Sequence, residues 1–283
     1  MPEPTHTDLK YGPYERNPLD VYKAEGNDPT PLFLNIHGGG FPRGDKSGVS
    51  HRLVDSLTSA GVTVASMNYR LSDTDPFPAS FEDGVRAIQF LRYKAGELGL
   101  DKQRFGAGGG SAGAGITFYS AQKLDRADPE NDDPVECESS HLSVVAVNDG
   151  QSFYDCNRIK ETISGPAWKN GALLKLFRLE PDEFGTDRAK EIFHSSSGIY
   201  HVTEDAPPTC TSFYRQNLPM TAEIDSGYGI HHPIFGTLLK ARMDELGVRC
   251  DVYYREDVGG ETDDEVKAQL SDKRIAFIKE HLL

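Results

Sequence analysis

Two glycine-rich strings in this chain carry the residue types that acyl-transfer chemistry requires. Gly109-Gly110-Ser111-Ala112-Gly113 fits the pattern G-x-S-x-G, in which a serine occupies a sharp turn between a strand and a helix. Glycines two before and two after the serine remove the side chains that would collide in such a bend. The spacing predicts a short strand over residues 104–108 and a small-residue helix beginning at Ser111. The hydroxyl would then stand exposed above the positive end of that helix, beside free N–H groups suited to a developing anion. His37-Gly38-Gly39-Gly40 follows the apolar run of residues 32–36. Backbone N–H groups of Gly38 or Gly39, together with that of Ala112, could hold an oxyanion, where removal of one donor costs about 3 kcal/mol in the transition state. Each glycine alone would serve a tight turn equally well. Both strings in this order, each after a strand, favour chemistry.

The elements that must position these groups alternate along the chain. Apolar runs at residues 32–36, 62–67, 142–147, 209–214 and 249–254 read as buried strands. Helical spacing is present at 81–98, 233–246 and 266–282, and Glu82 and Asp83 favour the start of the first of these. Strands alternating with helices imply an α/β class with a mostly parallel central sheet flanked by helices. Residues 1–283 read as one domain, interrupted at about 150–205 by weak helical patterns that suggest a lid-like insertion. Gln151 and Tyr154, just after a strand end, are candidate pocket residues.

Composition removes several alternatives. With 30 basic and 44 acidic residues the net charge is −14, which disfavours nucleic acid and anionic membrane surfaces as partners. No apolar run approaches the roughly 20 residues needed to span a bilayer. The N-terminus lacks a basic start and an apolar stretch, as in a cytoplasmic protein; a secreted or periplasmic form trimmed of its leader would look the same. Cys137, Cys156, Cys210 and Cys250 lie far apart and read as reduced packing residues. The carboxylate-rich stretch 125–138 lacks calcium-loop spacing and reads as a solvated loop. No metal site is expected. No cofactor is expected either, because the glycine run 106–110 lacks dinucleotide-loop phase.

On the strings Ile36 to Phe41 (IHGGGF), Asn68 to Leu71 (NYRL), Phe77 to Arg92, Gly109 to Ala114 (GGSAGA) and Asp205 to Thr209 (DAPPT), the chain resembles the α/β-hydrolase superfamily. More narrowly it resembles the HGGG-type esterases and lipases: the hormone-sensitive-lipase group, and a bacterial group that includes acetyl-xylan and feruloyl esterase-like proteins. The likeness covers nearly the whole chain. It implies an α/β-hydrolase fold, a small-molecule ester or carbohydrate ester as substrate, and Ser111 as nucleophile. It further implies that His37, Gly40 and Gly110 shape the oxyanion loop and elbow, and that Arg70 and Asp83 support the scaffold.

The other two members of the expected triad are missing from their places. An acid should follow the strand at 209–214, where Arg215-Gln216-Asn217-Leu218-Pro219 stands, and a histidine should follow the strand at 249–254, where Arg255-Glu256-Asp257 stands. His231 and His232 lie instead in the loop after the 209–214 strand, at the sheet edge where chemistry occurs. The expectation favours His232 as base over His231, with Asp225 or Asp257 as orienting partner; otherwise the two histidines are a helix cap and a packing residue. Loss of a triad serine or histidine costs about 10⁶-fold in turnover, and loss of the acid about 10⁴-fold. Two functions therefore compete: a serine ester hydrolase with a relocated base, and a catalytically impaired homologue that acts as a ligand-binding or interaction scaffold. A third uses Asp149 or Asp155 in carboxylate-based chemistry.

Overall fold

The apolar runs assemble into a single eight-stranded sheet. The computed structural model describes residues 3–26, 29–122, 124–219, 221 and 223–283. At one edge β1 (His6–Lys10) and β2 (Pro18–Tyr22) pair antiparallel. They are followed along the chain by β3 (Thr30–Ile36), β4 (Thr63–Met67), β5 (Leu100–Gly109), β6 (Val144–Asn148), β7 (Thr209–Phe213) and β8 (Cys250–Tyr254). Their spatial order is β1-β2-β4-β3-β5-β6-β7-β8. β2 joins β4 antiparallel, and every pair from β4 to β8 is parallel. This is the α/β-hydrolase fold expected above. The inner strands are buried on both faces, so they read as continuous apolar runs without alternation.

Ten α-helices are present among the described residues. In chain order they are α1 (His51–Thr58), α2 (Ala79–Tyr93), α3 (Ala95–Leu98), α4 (Ala112–Gln122), α5 (Cys156–Thr162), α6 (Gly171–Phe177), α7 (Asp187–Ser196), α8 (Ser226–Gly229), α9 (Ile234–Glu245) and α10 (Asp263–Leu282). On one face of the sheet, Leu53, Val54 and Leu57 of α1 and Ile275, Phe277 and Ile278 of α10 share a cluster with Phe33, Val64 and Val144. The larger cluster takes in α2, α4, the α5–α7 segment and α9. α4 is buried nearly all round, and its run of Ala and Gly lets it lie close against the sheet. α10 starts with a capping box between Thr262 and Glu265 and has Asp263, Asp264 and Glu265 in its first turn, where carboxylates complement the helix dipole.

Arg70, after β4, and Asp83, on α2, form an ion pair. Asp83, on α2 and nearly fully buried, accepts two-pronged bonds from the Arg70 guanidinium (2.8 and 3.0 Å) and a third from the Arg70 backbone N–H (2.8 Å). Breaking such a pair leaves an uncompensated buried charge, at about 3–5 kcal/mol. It fixes the exit of β4 onto α2.

Some boundaries move. β5 runs for ten residues, longer than the expected 104–108, because its polar first half pairs only at Leu100, opposite Thr30, before Phe105 enters the core. The helix after the elbow starts at Ala112, because Ser111 itself is left-handed (φ 51°). β1, β2 and α1 are short elements outside the runs expected from the sequence. In the acidic stretch Asp133 and Glu136 hold Arg86, and Glu138 holds Lys102. All four cysteines are free, three of them buried. Among the described residues no helix is long and apolar enough to cross a membrane, and no group of three or more His, Cys, Asp or Glu could hold a metal ion.

Candidate active site

The sheet register brings the two glycine strings together. Ile36, the last residue of β3, pairs with Gly109, the last residue of β5, so the loops that follow both strands leave at one level. On the other side Gly110 bridges to Asn148 at the end of β6, and the Ser111 N–H donates to the Asn148 carbonyl (3.0 Å). The elbow is thus pinned from both flanking strands. A Cβ at Gly113 would lie 2.0 Å from the Ile36 carbonyl oxygen, which explains the second glycine of the pattern. Ser111 keeps a left-handed backbone that only such over-determined surroundings hold in place.

The oxyanion loop is built as tightly. Gly39 has φ 121°, and a Cβ there would meet the Arg43 carbonyl at 2.0 Å. His37 is buried, stacks on Tyr69 with centroids 4.1 Å apart, and donates from Nδ1 to the Gly38 carbonyl (2.7 Å). Burial pushes its pKa down, opposed by that bond, which disfavours a charged ring. The Tyr69 hydroxyl donates to the His37 carbonyl (3.1 Å). Gly40 (φ 64°) faces Ala172 of α6, 3.5 Å from where its Cβ would stand. Gly38 lies against the elbow, with its Cβ position 3.8 Å from the Ser111 Cβ. The N–H groups of Gly38, Gly39 and Ala112 donate to no described residue. Three amides thus stand unpaired on the loop after β3 and at the elbow.

A histidine reaches Ser111 from the turn after α8. Ser111 Oγ lies 2.8 Å from His231 Nε2. The other ring nitrogen, Nδ1, lies 2.8 Å from the Gly227 carbonyl, which can only accept, so Nδ1 carries the proton. Nε2 is left with its lone pair facing the serine, as a general base needs. The turn is held by Asp225, whose carboxylate caps α8 by accepting from the Tyr228 N–H (2.9 Å). Gln151 donates to the Ile230 carbonyl (2.5 Å) directly before the histidine. Asn170, the cap of α6, donates to Ser226 Oγ (2.9 Å).

Gly38, Gly110, Ser111 and His231 line a cleft of about 270 Å³, bounded also by Asn148, Asp149, Tyr214 and Arg215. Asp149 is buried and left-handed (φ 49°). Its carboxylate accepts from Asn148 Nδ2 (3.0 Å) and the Tyr214 N–H (3.4 Å). Burial raises its pKa, opposed by the Asn148 bond, by the charge His231 carries when protonated, by the Tyr214 bond and by Arg274.

Three comparisons place this arrangement among known proteins. The family model BD-FAE matches residues 19–213, well over half of the chain. The chain belongs to the BD-FAE family. This BD-FAE chain is 27% identical over 205 residues to the "Probable carboxylic ester hydrolase LipM" of Mycobacterium tuberculosis, covering 71% of this chain and 45% of that protein. It is 32% identical over 192 residues to an AB hydrolase superfamily protein of Schizosaccharomyces pombe, covering 65% of this chain and 55% of that one. It spans about half the length of these curated relatives. A truncated carbohydrate esterase from gut microbiota has the same fold, with a TM-score of 0.72 at 18% identity over 98% of this chain and 95% of that one.

Against the expected site, the BD-FAE chain brings Ser111, Gly38, Gly39, Ala112 and His231 together and leaves His232 out. His232 is buried, its Nε2 donates to the Leu218 carbonyl (2.9 Å), and its Nδ1 accepts from the Ile234 N–H (3.1 Å). Both ring nitrogens are committed, and burial lowers its pKa, which disfavours a charged ring. It is the packing residue of the pair. Asp225 and Asp257 do not orient the base: the first caps α8, and the second accepts from the Tyr254 N–H. Asp155 caps α5 and accepts from Tyr200. Gln151 and Tyr154 do not line the cleft but stand behind it, Tyr154 fully buried against Phe41 and Phe81. The orienting group that sequence reasoning missed is a backbone carbonyl, which no residue type announces. Its one legible signal was the Asp-Ser-Gly-Tyr run at 225–228, an N-cap followed by a turn that ends at His231.

Proposed function

We propose that this protein is a serine carboxylic-ester hydrolase working through a Ser111–His231 dyad. The 2.8 Å approach of Ser111 Oγ to His231 Nε2, with Nδ1 fixed by the Gly227 carbonyl, carries the reading. In acylation His231 Nε2 takes the Ser111 proton as Oγ attacks the ester carbonyl. The oxyanion forms against the N–H groups of Gly38, Gly39 and Ala112, donors preorganised for charge that exists only in the transition state. The imidazolium returns its proton to the leaving alkoxide, and water then hydrolyses the acyl-serine by the same route in reverse. The names of LipM and of the carbohydrate esterase neighbour favour a small acyl ester or an acetylated carbohydrate as substrate.

The Gly227 carbonyl fixes the tautomer but carries no full negative charge, and Asp149, the carboxyl that shares the cleft with His231, is pushed toward its neutral form by burial. Turnover is therefore slower than that of a complete triad, whose acid is worth about 10⁴-fold. The test compares the native protein with Ser111→Ala on a short-chain 4-nitrophenyl ester. The variant should lose about 10³-fold or more, the part of the triad's 10⁶ that serine and histidine hold without the acid's full share. Equal turnover in both proteins would sink the proposal.

A further inference from the structure

The wall of the cleft opposite the oxyanion loop is basic, in a chain whose net charge is −14. Arg215 lines the cleft beside Ser111 and His231, and its Nε is buried with no hydrogen-bonding partner among the described residues. An adjoining cavity of about 560 Å³ shares Gly38, Gly110, Asn148, Asp149 and Tyr214 with the cleft. Arg274 and Lys267 of α10 line that cavity, seven residues apart and therefore on one helix face. The Nε of Arg274 is likewise buried and unpartnered among the described residues. Tyr214 joins the two spaces: Lys267 Nζ stands 4.4 Å from its ring and the Arg215 guanidinium 5.5 Å from it.

The surrounding acids do not cancel this charge. Asp263 at the mouth is engaged by Arg255 (2.5 Å), and Asp264 reaches Lys267 only at 3.7 Å on the surface. Arg52, the third cation of the cavity, is already held by Asp272. The single acid inside is Asp149, against Arg215, Arg274 and Lys267. A guanidinium whose N–H is withdrawn from water without an acceptor is unfavourable, and an incoming anion relieves it. We propose that the cleft takes an ester bearing a carboxylate, held by Arg215 and drawn in by Arg274 and Lys267, while Ser111 attacks the ester carbonyl. This inference rests on the hydrolase reading and narrows it to anionic esters.

The test uses two matched pairs: mono-4-nitrophenyl glutarate against its methyl ester, with the charge on the acyl side, and 4-acetoxybenzoate against methyl 4-acetoxybenzoate, with the charge on the leaving group. Each rate is divided by the hydroxide rate of the same ester. The native protein should favour the anionic member of at least one pair by about tenfold or more in kcat/KM, chiefly through KM, and the pair that responds identifies the side. High salt should shrink the preference. Arg215→Gln should bring the ratio close to one, Arg215→Lys should retain part of it, and Lys267→Gln, on an accessible side chain, should lower it by less. A ratio within about twofold in both pairs, with the neutral esters turned over, overturns the inference and leaves the hydrolase reading standing, and so does a preference that survives in Arg215→Gln/Arg274→Gln. No turnover of any of the four esters overturns both.

Discussion

The two halves of the cleft are held by different kinds of structure. Ser111 and the amides of Gly38 and Gly39 sit on the ends of adjacent parallel strands, and their spacing is set by the Ile36–Gly109 register and the Gly110–Asn148 bridge. His231 lies instead in the turn after a four-residue helix outside the sheet, held by three side chains: Asp225, Gln151 and Asn170. Sheet-borne groups are placed by a ladder that many backbone bonds over-determine. The turn-borne base depends on a few contacts, each open to removal by one substitution. The first half should tolerate distant change and fail abruptly when a glycine is filled. The second should fail by degrees.

The largest effect is expected where the halves meet. His231→Ala should lower kcat by about 10³-fold or more while KM barely moves, because it removes proton transfer and leaves the amides intact. His232→Ala should instead lower the melting temperature and leave kcat within a few-fold; the opposite pattern in stopped assays and thermal melts would reverse the assignment of the base. In the sheet-borne half, Gly39→Ala forces a Cβ toward the Arg43 carbonyl at a left-handed position and should cost about 10²-fold in kcat, the scale of one lost oxyanion donor. Activity near the native level would show that Gly39 carries no donor. In the turn-borne half, Gln151→Leu removes the tie to Ile230 and should cost about tenfold in kcat through misplacement of the imidazole. An unchanged kcat with a lowered melting temperature would make Gln151 purely structural.

The smallest effect compares a histidine from each half. Burial lowers the pKa of both His37 and His232 in the folded protein. Below the unfolded value, near 6.5, the unfolded chain therefore binds more protons than the native one, so stability is fully present above that pH and falls as pH drops. Melting curves at successive pH values from 8 to 5 should show this decline. His232→Gln, which can still donate to the Leu218 carbonyl, should flatten it. A slope that is identical in the variant removes His232 from the effect.

The same division decided what could be read from the sequence. The sheet-borne half was legible because its constraints are steric and leave glycines at fixed offsets from His37 and Ser111, after apolar runs that parallel strands bury on both faces. The departure of the base from its usual place was legible too, since Arg255, Glu256 and Asp257, and no histidine, directly follow β8. The choice between His231 and His232 was not, because neighbours one residue apart on a turn point in different directions, and only the fold shows which finds Ser111 and which finds Leu218 and Ile234. The orienting group is the Gly227 carbonyl, common to every residue type. Arg215 was visible as an interruption of the expected acid, but its open Nε arises from packing around Tyr214 and Tyr228.

The short span from Asn170 to Ala172 touches both halves at once, reaching Gly40 on one side and Ser226 on the other. It acts as a brace between the charge-stabilising loop and the proton acceptor, although it belongs to neither. A protease nick at this point would slacken both together and leave the serine seated where the strands hold it. Such a cleaved protein would keep its nucleophile in place and still fall silent.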